Sequence, residues 1–88
     1  MNNIKEIDEF LEFLKYVLNY SENTISSYER DINIFYKYIF SEGYDVGDVD
    51  LTIIRSFLNK EIERGISKKT CCRYIAALKH FYSFLFEN

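Results

Sequence analysis

Apolar residues recur at helical spacing along most of the chain, and the recurrence is interrupted at three places. Ile4, Ile7, Leu11, Leu14 and Leu18 form one stripe, which Phe10 and Val17 widen. This predicts a first helix over about 4–19, with acids in its first turns to suit the helix dipole. Ser21 is placed to cap a second helix over 22–42, whose stripe is Ile25, Tyr28, Ile32, Phe35 and Ile39. Gly43 stops it as a left-handed residue. A short acidic loop, Tyr44 to Asp50, follows. Asp50 caps a third helix over 51–64 that buries Leu51, Ile54, Phe57, Leu58 and Ile62. Gly65 ends that helix, with Ile66 placed for a Schellman contact. Ser67 caps a fourth helix over 68–86, with Cys71, Tyr74, Ile75, Leu78, Phe81, Tyr82 and Leu85 inward.

The second and fourth helices echo one another. Ser21-x-x-Thr24-x-x-x-Tyr28 matches Ser67-x-x-Thr70-x-x-x-Tyr74 at an offset of 46, which also pairs Ile32 with Leu78, Phe35 with Phe81 and Tyr36 with Tyr82. The echo between the first and third helices is weak. Two readings stand: a shared cap grammar with similar packing, or a pseudo-two-fold pair of helical hairpins. Both present two similar helix N-termini, whose free backbone N–H groups suit phosphate.

Composition supports one helical domain over 1–88. The chain is 48% hydrophobic and 18% aromatic, with no proline and three glycines, which favours long helices over a turn-rich β fold. The only cysteines, Cys71 and Cys72, are adjacent and form no spaced disulfide framework, in keeping with a reducing compartment. No apolar run approaches the roughly 18 residues of a membrane span, and the start is not a signal peptide. The expected location is the cytoplasm, with no membrane partner.

A net charge of −3 argues against nucleic acid, but the charge is polarised. Glu6, Asp8, Glu9 and Glu12 crowd the first helix. Gly65 to His80 carries Lys68, Lys69, Arg73 and Lys79 and no acid. On the outward face of the fourth helix, Lys69, Arg73, Ala76 and His80 follow one another at steps of four, three and four. A basic row with a small residue in it can approach a DNA groove closely, with cations on phosphates and Arg73 on a guanine edge. Asn23, Ser27, Arg30 and Lys37 form the matching face of the second helix, with Glu22, Glu29 and Asp31 nearby. An ordinary solvated helix face accounts for each row taken alone. Thr24 and Thr70 suit either extended capping or donation to a phosphate.

No active site is legible. Tyr28, Tyr74 and Tyr82 fall on apolar faces, and nucleophilic tyrosine chemistry on DNA needs cations and an acid–base partner that a single His80 without an H-x-x-R cannot supply. Cys71, Cys72 and His80 do not make a zinc set. No cofactor is expected. Phe13, Tyr16, Ile34, Tyr38, Phe40, Phe84 and Phe86 exceed what four single stripes need, so they either broaden the core or form a patch for another domain or a second copy.

Taken in order, four strings resemble the N-terminal core-binding domain of the tyrosine recombinase (phage integrase, Xer-like) family. They are Phe10-Leu-Glu-Phe-Leu14, Ser21-Glu-Asn-Thr24-Ile-Ser-Ser-Tyr28 through Phe35, Asp50-Leu-Thr-Ile-Ile54-Arg-Ser-Phe57-Leu58, and Gly65-Ile-Ser67 through Leu85. The resemblance implies an all-α, SAM-like orthogonal four-helix bundle built of two hairpins. It implies half of a C-shaped clamp on the recombination core site, with the second and fourth helices facing the major groove. By position, Asn23, Thr24, Ser27, Arg30, Lys68, Lys69, Thr70, Arg73 and Lys79 inherit DNA contact. The implied partners are double-stranded DNA, a C-terminal catalytic domain of the same protein and other protomers of a synapse. Catalysis would lie in that second domain, absent from this chain. The acidic balance departs from the family's role. The alternative is a helical protein–protein interaction module using its acidic and aromatic surface.

Overall fold

Four helices carry residues 4–87, the part described by the computed structural model. They are α1 (Ile4–Tyr16), α2 (Glu22–Ser41), α3 (Leu51–Glu63) and α4 (Lys68–Glu87), with a 3-10 turn at Val46–Asp48 before α3. The Ile4 side chain, which the apolar pattern placed in the first stripe, lies outside the described residues. There is no strand among the described residues, so the fold is all-α, as the periodicity requires.

The caps follow the expected chemistry. The Ser21 hydroxyl accepts from the Thr24 backbone N–H at 3.2 Å, Asp50 accepts from Ile53 at 3.0 Å, and Ser67 accepts from Thr70 at 3.0 Å. Gly43 and Gly65 sit at φ 82° and 101°. Each ends its helix in a Schellman motif: Tyr44 N–H donates to the Ile39 carbonyl, and Ile66 N–H to the Glu61 carbonyl.

The first helix is shorter than its stripe predicts. It stops at Tyr16, and Val17 and Leu18 are exposed rather than inward. Their amides both donate to the Phe13 carbonyl, Asn19 turns left-handed at φ 58°, and Tyr20 N–H reaches the Leu14 carbonyl. The chain reverses early so that Tyr20 packs beside Tyr28 and His80.

The structure favours the pseudo-two-fold reading and extends it to both helix pairs. α1 and α3 each have 13 residues, and α2 and α4 each have 20. The offset of 46 turns the ring contact Phe35–Tyr82 (6.2 Å) into Phe81–Tyr36, which is also made, at 5.7 Å. Phe10 meets Phe81 edge-on at 5.2 Å and 74°, and Phe57 meets Phe35 at 5.2 Å and 80°. These four fully buried phenylalanines are the centre of the core. α2 and α4 pack most extensively against each other, with α1 laid on α2 and α3 on α4.

Burial departs from the stripes in α3 and α4. Leu51, Ile62 and Ile75, expected inside, are exposed. α3 enters the core chiefly through Phe57, with Ile53, Ile54 and Leu58 half-buried behind it. An apolar groove therefore remains between α3 and α4, edged by Leu51, Ile75 and Phe86. Of the surplus aromatic and aliphatic residues, Phe13, Ile34, Tyr38 and Phe84 widen the core, whereas Tyr16, Phe40 and Phe86 stand in solvent. Cys71 is half-buried, Cys72 is exposed, and both are free thiols.

Two tyrosines lock loops and helices through their hydroxyls. Tyr82 donates to the Val46 carbonyl at 2.8 Å, and Tyr36 donates weakly to Glu6 at 3.4 Å. Burial, aided by the Glu6 carboxylate, pushes both phenols well above their ordinary pKa of 10.0. A folded-state pKa raised above the unfolded one contributes stability that is complete below the unfolded pKa and lost as pH rises through the folded one. Urea midpoints are thus expected to hold up to about pH 10 and fall above it. The fall should be shallower in Tyr82→Phe; an unchanged alkaline slope in that variant contradicts the assignment.

Candidate nucleic-acid interface

The predicted residues lie on α2 and α4, which are joined at their crossing by Arg73 of one and Asp31 of the other. Asn23 and Arg30 on α2, and Lys68, Lys69 and Lys79 on α4, are exposed. Thr24, Ser27, Thr70 and Arg73 are half-buried. The two N-termini are built alike. In each, the cap serine hydroxyl accepts the third residue's N–H and donates to that threonine's Oγ1, at 3.0 Å in both helices. Thr24 and Thr70 are therefore part of the cap network, and each oxygen is held at the mouth of its helix.

Two members of the α4 row are not simply solvated. Arg73 reaches across to α2, where its Nε and Nη2 donate to the two oxygens of Asp31 at 2.8 and 2.9 Å. Asp31, which the sequence placed among the surface acids, is only 2% exposed. These hydrogen bonds raise the Arg73 pKa further, so the guanidinium stays charged. His80 is half-buried, with its ring 6.0 Å from Tyr20 and 5.9 Å from Tyr28. It lines a shallow surface cleft with Ala76, Lys79 and Ser83. Lys79 also borders the apolar groove on the other side, so it stands at the edge of the row.

Lys37 sits apart from this row. It lines a second cleft with Lys60, Arg64, Tyr38 and Ser41. The cations of α3 were not singled out from sequence, nor was Glu61. That carboxylate is 5% exposed, holds Arg64 through both oxygens at 3.0 and 3.1 Å and accepts from Tyr74 at 3.3 Å. Its i,i+3 spacing to Arg64 was the available signal. No group of three or more metal-ligating side chains is present among the described residues.

The profile of the phage integrase N-terminal SAM-like domain family matches residues 7–88. The chain belongs to this family. Within it, the SAM-like domain is similar to tyrosine recombinase XerD of Shewanella oneidensis, with 31% identity over 93% of this chain and 27% of the relative. It is similar to tyrosine recombinase XerC of Bacillus licheniformis at 34% identity and to that of Bacillus subtilis at 33%, each over all of this chain and 30% of the relative. The SAM-like domain spans less than a third of the length of these curated relatives. No solved structure matches it. No described helix is long and apolar enough to cross a membrane.

Proposed function

We propose that this domain binds double-stranded DNA through the α2–α4 face, clamping a recombination core site and positioning it for a catalytic domain elsewhere in a tyrosine recombinase. The carrying observation is the pair of identically capped helix N-termini, with Asn23 and Arg30 exposed on α2 and Lys68 and Lys69 exposed on α4. Cations and free helix N–H groups on a rigid two-helix platform fix a duplex by its phosphates. Membership of a family whose relatives are named tyrosine recombinases supports the reading. The domain acts as a binding module and leaves strand chemistry to that other domain. Its setting is the cytoplasm, and other protomers of a synapse are its further partners.

The net charge of −3 makes the binding weak and salt-sensitive. Titration of a labelled mixed-sequence duplex at low salt should show saturable binding. In Lys68→Ala/Lys69→Ala the slope of log affinity against log salt should fall by about 2. If neither this chain nor a recombinase containing it binds duplex DNA at any salt concentration, the reading fails. A second reading, a protein-interaction module, draws on the exposed apolar groove between α3 and α4; cross-linking to a protein partner with no DNA response would favour it.

A further inference from the structure

We propose that Asp31 is a positioning residue for DNA binding: it pins the Arg73 guanidinium flat at the α2–α4 crossing so that its free edge meets one backbone phosphate. The inference rests on the DNA-binding reading above and adds to it a specific contact and the residue that sets it up.

The geometry separates the two edges of the guanidinium. Nε and Nη2 are taken by Asp31, and Nη1 has no partner among the described residues. The group is planar with five N–H donors, so fixing one edge fixes the direction of the other. The two ends of the pair differ in exposure: 2% for the Asp31 side chain, 36% for that of Arg73. One partner thus faces the interior and the other is open to a ligand. Ser27, one turn before Asp31, and Ala76, three residues after Arg73, are small and keep the surroundings low. Lys69, one turn before Arg73, supplies the unpaired positive charge.

The anchoring also selects the target. Arg73 spends its length reaching sideways to a neighbouring helix, which leaves its head level with the protein surface. Phosphates are the outermost groups of a duplex, whereas base edges lie recessed in the groove. A head tethered at the surface therefore meets phosphate. Because Asp31 offsets the Arg73 charge, the contact works by directional hydrogen bonding rather than by long-range attraction.

This predicts the sign of one substitution. Asp31→Asn removes a negative charge from a DNA-facing platform, so simple electrostatics would strengthen binding. Positioning requires the opposite: affinity for a labelled mixed-sequence duplex should fall about tenfold, the equivalent of one charge-assisted hydrogen bond. Arg73→Lys, which keeps the charge but loses the fork, should lose as much, and the double variant should lose little more. Gly43→Ala, at the far end of α2, controls for lost stability and should bind as wild type. Circular dichroism confirms folding at the assay temperature. The positioning role is overturned if folded Asp31→Asn binds as tightly as wild type or more tightly. If Asp31→Asn does not fold, undiminished binding by Arg73→Lys overturns it instead. Absence of binding by both the wild-type chain and a recombinase containing it overturns the DNA reading and this inference with it. Wild-type binding that survives both substitutions overturns this inference alone.

Discussion

Phe81→Ala is expected to cost about 3–5 kcal/mol, enough to leave the chain largely or partly unfolded near physiological temperature. Phe81 is fully buried and touches the rings of Phe10, Tyr36 and Tyr82 at 5.2, 5.7 and 5.6 Å. Alanine there removes a large apolar surface and leaves a cavity that three helices would have to move to fill. The pseudo-two-fold makes a second, independent claim. Phe35 holds the equivalent place against Phe57 and Tyr82, so Phe35→Ala should be as damaging to within about 1 kcal/mol. Phe86→Ala, which is 74% exposed, should change stability by less than about 0.5 kcal/mol. Urea denaturation followed by circular dichroism checks all three. Tolerance of Phe81→Ala, or a large gap between the two core variants, would show that this four-phenylalanine centre is misread.

The second large effect concerns a place where the two halves disagree chemically. Leu14 and Glu61 occupy the same position in α1 and α3, eleventh in each 13-residue helix, and both are buried. Glu61 is satisfied there by Arg64 and Tyr74. The residue matching Arg64 in the first half is Val17, which offers no cation. Leu14→Glu therefore buries a carboxylate without an ion-pair partner, and should cost about 3–5 kcal/mol or unfold the chain. Glu61→Leu replaces a paired charge with the side chain its counterpart uses. It should be close to neutral, within about 1.5 kcal/mol, because only one exposed-side cation and one tyrosine hydroxyl lose a partner. Arg64 is 65% exposed and can return to water. Comparable damage from both substitutions would refute the equivalence of the two positions.

Much of the local architecture was legible in the chain. Helix caps are short-range chemistry, so Ser21, Asp50 and Ser67 could be read as caps, and Gly43 and Gly65 as stops, from neighbouring residues alone. The offset of 46 was visible because α2 and α4 share cap residues and core aromatics. The matching of α1 to α3 was hidden, since it runs at an offset of 47 instead and reduces to Ile7/Ile54, Phe10/Phe57 and Leu11/Leu58 amid dissimilar surface residues. Equivalent helix lengths and exchanged ring contacts exposed what sequence similarity did not.

The sequence by itself determined that the described chain is all-α, where its helices start and stop to within a few residues, which faces are basic, and the family to which it belongs. Only the tertiary structure decided the partners of charges and the depth of apolar residues. Periodicity says which face of a helix is apolar, but not how closely another helix will approach it. That is why Leu51, Ile62 and Ile75 carry the right spacing and still meet solvent. Nor does spacing within one helix say what stands opposite. Arg73 lies 42 residues from Asp31. Their pairing exists because the α2–α4 crossing brings a carboxylate with almost no solvent within 2.8 Å of an arginine that would otherwise belong to an ordinary polar face.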